Sequence, residues 1–204
     1  MRRKVFDILA SAGGLVLVAV LVVAGALLMW GASFTNTNVH NQLAMQDVYF
    51  PPASAFAYAK PGTEITPGMK PYLLQYAGQE VLTGPQAAAY ANHFIAVHLS
   101  EMPYGGVYSK VSAAARAAKP GSAAAAQLTA LDATVFQGTT LRAMLLEAYG
   151  FWTLGNIAFW AGIASFSLAF ILALLVGLGL WHARRVAADA VLLAKAASAT
   201  PIAA

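Results

Sequence analysis

Two long runs of apolar residues, one near each end, dominate the hydrophobic pattern of this sequence. They cover residues 8–30 and 157–181, and neither contains a charged side chain. About 20 apolar residues are enough for a helix to cross the hydrocarbon of a bilayer. The pattern therefore predicts transmembrane helices at residues 8–30 and 151–181, with residues 31–150 between them.

Basic residues flank both runs on the sides that lead to the chain ends. Each flank carries three basic residues and one acidic residue, whereas residues 31–148 carry six of each. The flanking charges are Arg2, Arg3, Lys4 and Asp7 before the first run, and Arg184, Arg185, Lys195 and Asp189 after the second. Cytoplasmic loops of membrane proteins are enriched in Lys and Arg. The charges therefore predict a multi-pass plasma-membrane protein with residues 1–7 and 182–204 in the cytoplasm and residues 31–150 outside.

The composition agrees with a membrane protein and excludes several other classes. Only 10% of residues are charged and the mean hydropathy is +0.64, whereas about a quarter of residues are charged in an average soluble protein. The excess of basic over acidic residues lies in two short flanks rather than on a basic face, so we expect no nucleic-acid partner. The absence of cysteine excludes disulfides and thiolate metal ligands.

Cleavage of the first run as a signal peptide is an alternative to anchoring. Secretory apolar regions are about 7–15 residues long, and this run is longer. Length therefore favours an anchor, although the small residues Gly31, Ala32 and Ser33 leave cleavage open.

The segment between the runs has helical rather than alternating periodicity, which predicts an all-α fold. Residues 53–66 contain turn signals and are expected to be irregular, and a short helix is expected from Thr66-Pro67 to about Ala77. The pattern then predicts helices over residues 86–101 and 107–118.

Two further helical stretches precede and include the second run. Residues 122–135 are rich in alanine, the strongest helix former. We expect a break at Gln137-Gly138, followed by a long helix from Leu141 into the second membrane span.

Candidate chemistry is sparse. His98 and Glu101 share a helical face, whereas His93 lies about 140° around the helix from His98. A mononuclear metal site generally needs three or four ligands, so His40 or Asp47 would have to approach from elsewhere. His93, His98 and Glu101 remain weak metal candidates, and we expect no catalytic residues or cofactor because nucleophile-elbow and phosphate-loop motifs are absent.

Small residues on the second run predict close helix contact. Ala158 with Gly162, and Ala161 with Ser165, form pairs four residues apart, which let helix backbones approach each other. Their partner is either the first run or another membrane protein.

Several stretches resemble a family of actinobacterial two-span membrane proteins of uncharacterised function. The resemblance covers nearly the whole chain and is carried by MRRKVFD at 1–7, VHNQL at 39–43, FPP at 50–52, YANHFIAVHL at 90–99 and FQGTTLR at 136–142. It implies the two-span architecture and an actinobacterial source. Some members are labelled aromatic ring-opening dioxygenase, but the histidines and carboxylates here lack the arrangement of an iron site.

Three hypotheses for the function follow. The favoured one is a non-catalytic membrane protein whose outer helical domain binds other membrane proteins or itself, as an accessory subunit of an envelope or respiratory complex. The second is an extracytoplasmic sensor or ligand-binding protein. The third is a metal-dependent enzyme that uses His93, His98 and Glu101.

Overall fold

The computed structural model describes residues 2–187 and Ala190, and helices make up most of this range. No β-strand occurs within it, and Tyr49 and Glu80 form an isolated antiparallel bridge. The predicted all-α class is confirmed. Asp189 and Lys195, which belong to the predicted cytoplasmic flank, lie outside the described residues.

The helices differ widely in length. α1 has 42 residues and α7 has 63. In chain order the α-helices are α1 (Arg3–Ala44), α2 (Ala53–Ala57), α3 (Lys70–Leu73), α4 (Gly84–Tyr90), α5 (Ala96–Glu101), α6 (Tyr108–Ala117) and α7 (Ala123–Arg185). Short 3₁₀ turns occupy Pro67–Met69, Leu74–Tyr76 and Pro103–Gly106, and a π-helical turn occupies Ala91–Ile95.

The chain divides into two compact units. Unit 1 combines Met1–Gly31 with Ala158–Ala204, and unit 2 is Ala32–Ile157. Both long helices contribute to both units, because α1 continues beyond Gly31 and α7 begins well before Ala158.

α1 and α7 are each long and apolar enough to cross a membrane. Their most apolar 18-residue windows have mean hydropathies of 2.7 and 2.5, with only 6% and 17% of the window buried inside the structure. A helix satisfies its backbone hydrogen bonds internally, as a bilayer requires. By length and composition, therefore, both helices meet the requirements of membrane spans.

Within unit 1 the two helices approach each other at small residues. A methyl group added at Gly162 would lie 3.0 Å from the Met29 side chain, and one added at Gly14 would lie 2.5 Å from Val176 Cγ2. The Ser165 hydroxyl donates a hydrogen bond to the Leu21 carbonyl at 2.8 Å. Small side chains let the backbones come close enough for this direct contact.

Unit 2 has a main hydrophobic core that draws on most of its helices. The buried members are Val39, Leu43, Phe50, Phe56, Ile65, Met69, Leu73, Val81, Ala87, Ala91 and Leu145. A smaller cluster contains Leu99, Val111 and Val135. α1 and α7 contribute Val39, Leu43 and Leu145 to the main core, and the short helices and loops between them contribute the rest.

The start of α4 is fixed by a capping box. The Thr83 side chain accepts a hydrogen bond from the Gln86 amide, and Gln86 Oε1 accepts one from the Thr83 amide at 3.0 Å. These bonds satisfy donors that a helix N-terminus leaves free. Next to the cap, Gly84 packs directly against the Trp152 side chain.

The predicted helix break at Gln137-Gly138 is wrong. α7 passes through both residues without interruption, so the alanine-rich stretch and the second apolar run form one helix. Gly138 has a packing role here, because an added Cβ would lie 2.8 Å from Leu99 Cδ2. The glycine therefore lets Leu99 approach the α7 backbone instead of ending the helix.

Two other predictions need correction. The expected single helix over residues 86–101 is divided by the π turn Ala91–Ile95, where the Ala96 amide bonds to the Ala91 carbonyl. The extra residue in this turn shifts the faces of α4 and α5 relative to an uninterrupted helix. Residues 53–66 are also not wholly irregular, since α2 occupies Ala53–Ala57.

Gly84→Ala is expected to destabilise unit 2 by about 1–3 kcal/mol, because the new methyl group would overlap Trp152. Hydrogen exchange of residues 79–101 in the full-length protein should become faster. Gly150→Ala is the matched control, since that helical position has open space and alanine favours a helix by about 0.5–1 kcal/mol. Equal exchange in the two variants would contradict the Gly84 contact.

Ser165→Ala is expected to lower the stability of the helix pair by about 0.6 kcal/mol, the average for interhelical hydrogen bonds in membranes. Ser167→Ala is the control, because the exposed Ser167 hydroxyl bonds only to Ile163 within its own helix. Thermal unfolding of the reconstituted protein should separate the variants. A larger loss from the Ser167 change would argue against the interhelical bond.

Candidate functional site

The three weak metal candidates have different environments. The His93 ring stacks on Tyr72, with centroids 3.6 Å apart and planes 3° from parallel. His98 Nδ1 lies 2.8 Å from the Phe94 carbonyl oxygen. Glu101 is exposed at the last position of α5. Among the residues described, no group of three or more His, Asp and Glu side chains is placed to hold a metal ion.

A cleft of about 400 Å³ lies within unit 2, and we call it the Phe94 cleft. Its walls come from the π turn and α5 on one side and from α7 on the other, with two loop residues, Glu64 and Met102. The lining residues are Glu64, Phe94, Ile95, His98, Leu99, Met102, Thr134, Gln137, Gly138 and Leu141. The volume falls within the range of about 300–1,000 Å³ that small-molecule sites have.

The lining of the Phe94 cleft is mostly apolar, with a few polar groups that can accept hydrogen bonds. Because a carbonyl oxygen only accepts, the bond to Phe94 places the His98 proton on Nδ1. In the neutral ring, Nε2 is then the acceptor nitrogen. The Thr134 hydroxyl donates to the Ala130 carbonyl at 3.0 Å, which leaves its oxygen lone pairs available.

Burial and the charge of Glu64 both affect Tyr90, which contacts Phe94 of the cleft. Burial raises the pKa of the Tyr90 hydroxyl, and the negative charge of Glu64 raises it further. Tyr90 packs against Phe94, with ring centroids 4.7 Å apart and ring planes tilted by 33°. In the folded protein the Tyr90 hydroxyl therefore stays protonated above its ordinary pKa of 10.0. The stabilising free energy linked to this raised pKa is present below pH 10.0 and is lost as the pH rises through the raised pKa.

A second, smaller cleft of about 280 Å³ contains Tyr72, Asn92 and His93. The Tyr72–His93 stack occupies one face of each ring. Arg142 Nη2 donates a hydrogen bond to Asn92 Oδ1 at 2.9 Å. These side chains are largely occupied by one another, so the arrangement favours a structural role.

An exposed apolar stripe runs along α7 within unit 2. Its members are between 51% and 60% exposed and are Phe136, Leu141, Met144, Phe151 and Leu154. At 100° per residue they fall within one side of the helix. This set is named the α7 stripe below.

The predicted helix-packing residues have different positions in unit 1. Gly162 and Ser165 are buried and contact α1 through Met29 and Leu21. Ala158 is half-buried, and Ala161 is exposed. The structure thus uses one member of each predicted pair for contact within the chain.

Sequence reasoning missed the Phe94 cleft and three of its polar lining residues. Glu64 comes from a loop, whereas Thr134 and Gln137 come from α7. The predicted break at Gln137-Gly138 separated these α7 residues from the helix to which they belong. A continuous apolar and small-residue pattern across Gly138 would have been the signal to follow.

Comparison with known proteins identifies no relative of this chain. No protein-family model matches the sequence, and neither the curated proteins nor the solved structures contain a match.

Proposed function

We propose that this chain is an integral plasma-membrane protein whose outer helical unit binds another membrane protein, as an accessory subunit of a larger complex. Both termini lie in the cytoplasm in this proposal, and unit 2 lies outside. The role is an interaction rather than catalysis. The observation that carries the proposal is the α7 stripe.

The topology is supported by hydropathy and charge. The two long helices leave most of their apolar windows unburied, which a bilayer would cover. Arg184 and Arg185 end α7, and Arg3 and Lys4 begin α1. The positive-inside bias therefore favours the same side of the membrane for both ends.

Lipid would cover only part of the α7 stripe. If the second span begins at residue 151, Phe136 lies about 22 Å before it along the helix and Met144 about 10 Å before it, at 1.5 Å per residue. The headgroup layer on each side of a bilayer adds only about 5–8 Å. Phe136, Leu141 and Met144 would therefore extend beyond the lipid and need another apolar surface.

A partner helix would suit the shape of the α7 stripe. Apolar residues at three- and four-residue spacing are the anchors by which a helix packs against another helix. Met144 is at the centre of the stripe, and its flexible side chain adapts to irregular surfaces. We therefore expect an apolar helix of a membrane protein, or of a second copy, as the occupant.

Photo-crosslinking at Met144 tests this function. A photoreactive phenylalanine analogue at position 144, incorporated in native membranes, should give an adduct with one defined protein partner. The same analogue at Tyr149, which is exposed and about 140° around α7 from both Met144 and Phe136, should give none. Met144→Glu should reduce crosslinking from a second probe at Phe136 by about tenfold, because a charge would be buried in the contact.

Two results would contradict the proposal. The first is equal crosslinking from positions 144 and 149, which would indicate random collision. The second is the absence of any protein adduct at position 144 while the protein is fully incorporated in the membrane.

A further inference from the structure

We propose that the Phe94 cleft binds a small, neutral, apolar molecule whose head group is a hydroxyl, that is, an alcohol or a phenol. This inference goes beyond the proposed interaction role and does not depend on it. It rests on the apolar walls of the cleft, on the acceptor groups that line it and on the absence of Lys and Arg from its lining residues.

The apolar part of the ligand follows from the walls. Phe94 and Met102 offer an aromatic ring and a polarizable thioether, and Leu141 faces them from α7. The cleft holds about 400 Å³, which suits a molecule of modest size. Removing such a molecule from water is favourable by about 25 cal/mol per Å² of apolar surface.

The hydroxyl follows from the hydrogen-bonding groups. His98 offers the lone pair of Nε2 because its Nδ1 proton is used by the Phe94 carbonyl. Thr134 likewise offers only lone pairs, since its proton is used by the Ala130 carbonyl. Glu64 accepts hydrogen bonds when ionised. A ligand hydroxyl, which donates one hydrogen bond, can therefore bond to any one of these three acceptors.

An anionic head group is disfavoured by charge. Neither Lys nor Arg is among the residues lining the cleft. A carboxylate or phosphate would face the negative charge of Glu64 without a compensating cation. Taking the anion out of water beside the apolar walls would cost several kcal/mol with no cation to offset it.

A cationic head group is disfavoured because its desolvation costs more than its ion pair with Glu64 returns. Glu64 is exposed, and an exposed ion pair contributes only about 0–1 kcal/mol. Taking an ammonium group out of water beside the apolar walls costs several kcal/mol. A neutral hydroxyl can make the same hydrogen bond with a much smaller desolvation cost.

Competitive photolabelling of the full-length protein in lipid nanodiscs tests the proposal. The probe is a phenol that carries an alkyl diazirine, and labelled peptides are located by mass spectrometry. Adducts are expected within residues 94–102 and 134–141. Para-butylphenol should suppress them at about tenfold lower concentration than para-butylanisole, which has the same body but no hydroxyl proton. Para-butylbenzoate and para-butylbenzylamine should compete no better than the anisole.

Variants with matched controls distinguish binding in the Phe94 cleft from general partitioning of the probe into lipid. Thr134→Trp should fill the cleft and abolish competition, whereas Thr139→Trp, which lies outside the lining, should not. Glu64→Gln should raise the concentration of para-butylphenol needed for competition about tenfold, because the ligand loses a charged hydrogen-bond acceptor. Glu101→Gln is its control, because Glu101 is exposed and does not line the cleft. Unchanged thermal unfolding would show that each variant is folded.

The proposal is overturned if para-butylphenol and para-butylanisole compete equally, because the hydroxyl would then be irrelevant. It is also overturned if the benzoate or the benzylamine competes better than the phenol. Labelling spread evenly over the chain, with no effect of Thr134→Trp, would show that the cleft is not a site.

Discussion

The main physical constraint on this protein is the large apolar surface that its own fold leaves uncovered. Leu27 on α1 and Phe170 on α7 are both more than 60% exposed, and many neighbours in unit 1 are similar. Covering one such side chain is favourable by about 1.5–3 kcal/mol relative to leaving it in water. The two long helices cannot supply this cover for each other, because they contact along one narrow side. A lipid environment is the simplest way to meet the requirement.

The contact between the helices in unit 1 is made at small residues and through a hydrogen bond. Gly162 and Gly14 remove side-chain bulk where the opposite helix lies closest. Ser165 adds a hydrogen bond to a backbone carbonyl of the other helix. Since lipid is as apolar as leucine, such packing and hydrogen bonds define helix contacts better than hydrophobicity does.

The sequence predicted those parts of the structure that depend on local pattern. The two apolar runs and several helices of unit 2 are visible in the spacing of apolar residues, whereas α2 lies in a segment that was expected to be irregular. The π turn at Ala91–Ile95 was not predictable in this way, because one extra residue hardly changes a periodicity measured over so short a segment. Gly138 was misinterpreted for a different reason. Its role depends on Leu99, which is distant in sequence and reaches α7 only in the folded unit.

The candidate sites show the same limit. His98 could be identified from its residue type, but its tautomer depends on the Phe94 carbonyl. Glu64 gave no signal in the sequence, because its relation to the cleft is set by tertiary packing. The α7 stripe lies between these cases. Its spacing is present in the sequence, whereas its exposure is a property of the folded unit.

Cysteine labelling tests the membrane topology most directly, because the chain contains no native cysteine. Ser100→Cys in unit 2 and Ala187→Cys after α7 both place the thiol at exposed positions. With a membrane-impermeant maleimide on intact cells, Ser100→Cys should be labelled, and Ala187→Cys should be labelled only after the membrane is permeabilised. Labelling of Ala187→Cys in intact cells, or protection of Ser100→Cys until permeabilisation, would contradict the proposed two-span topology.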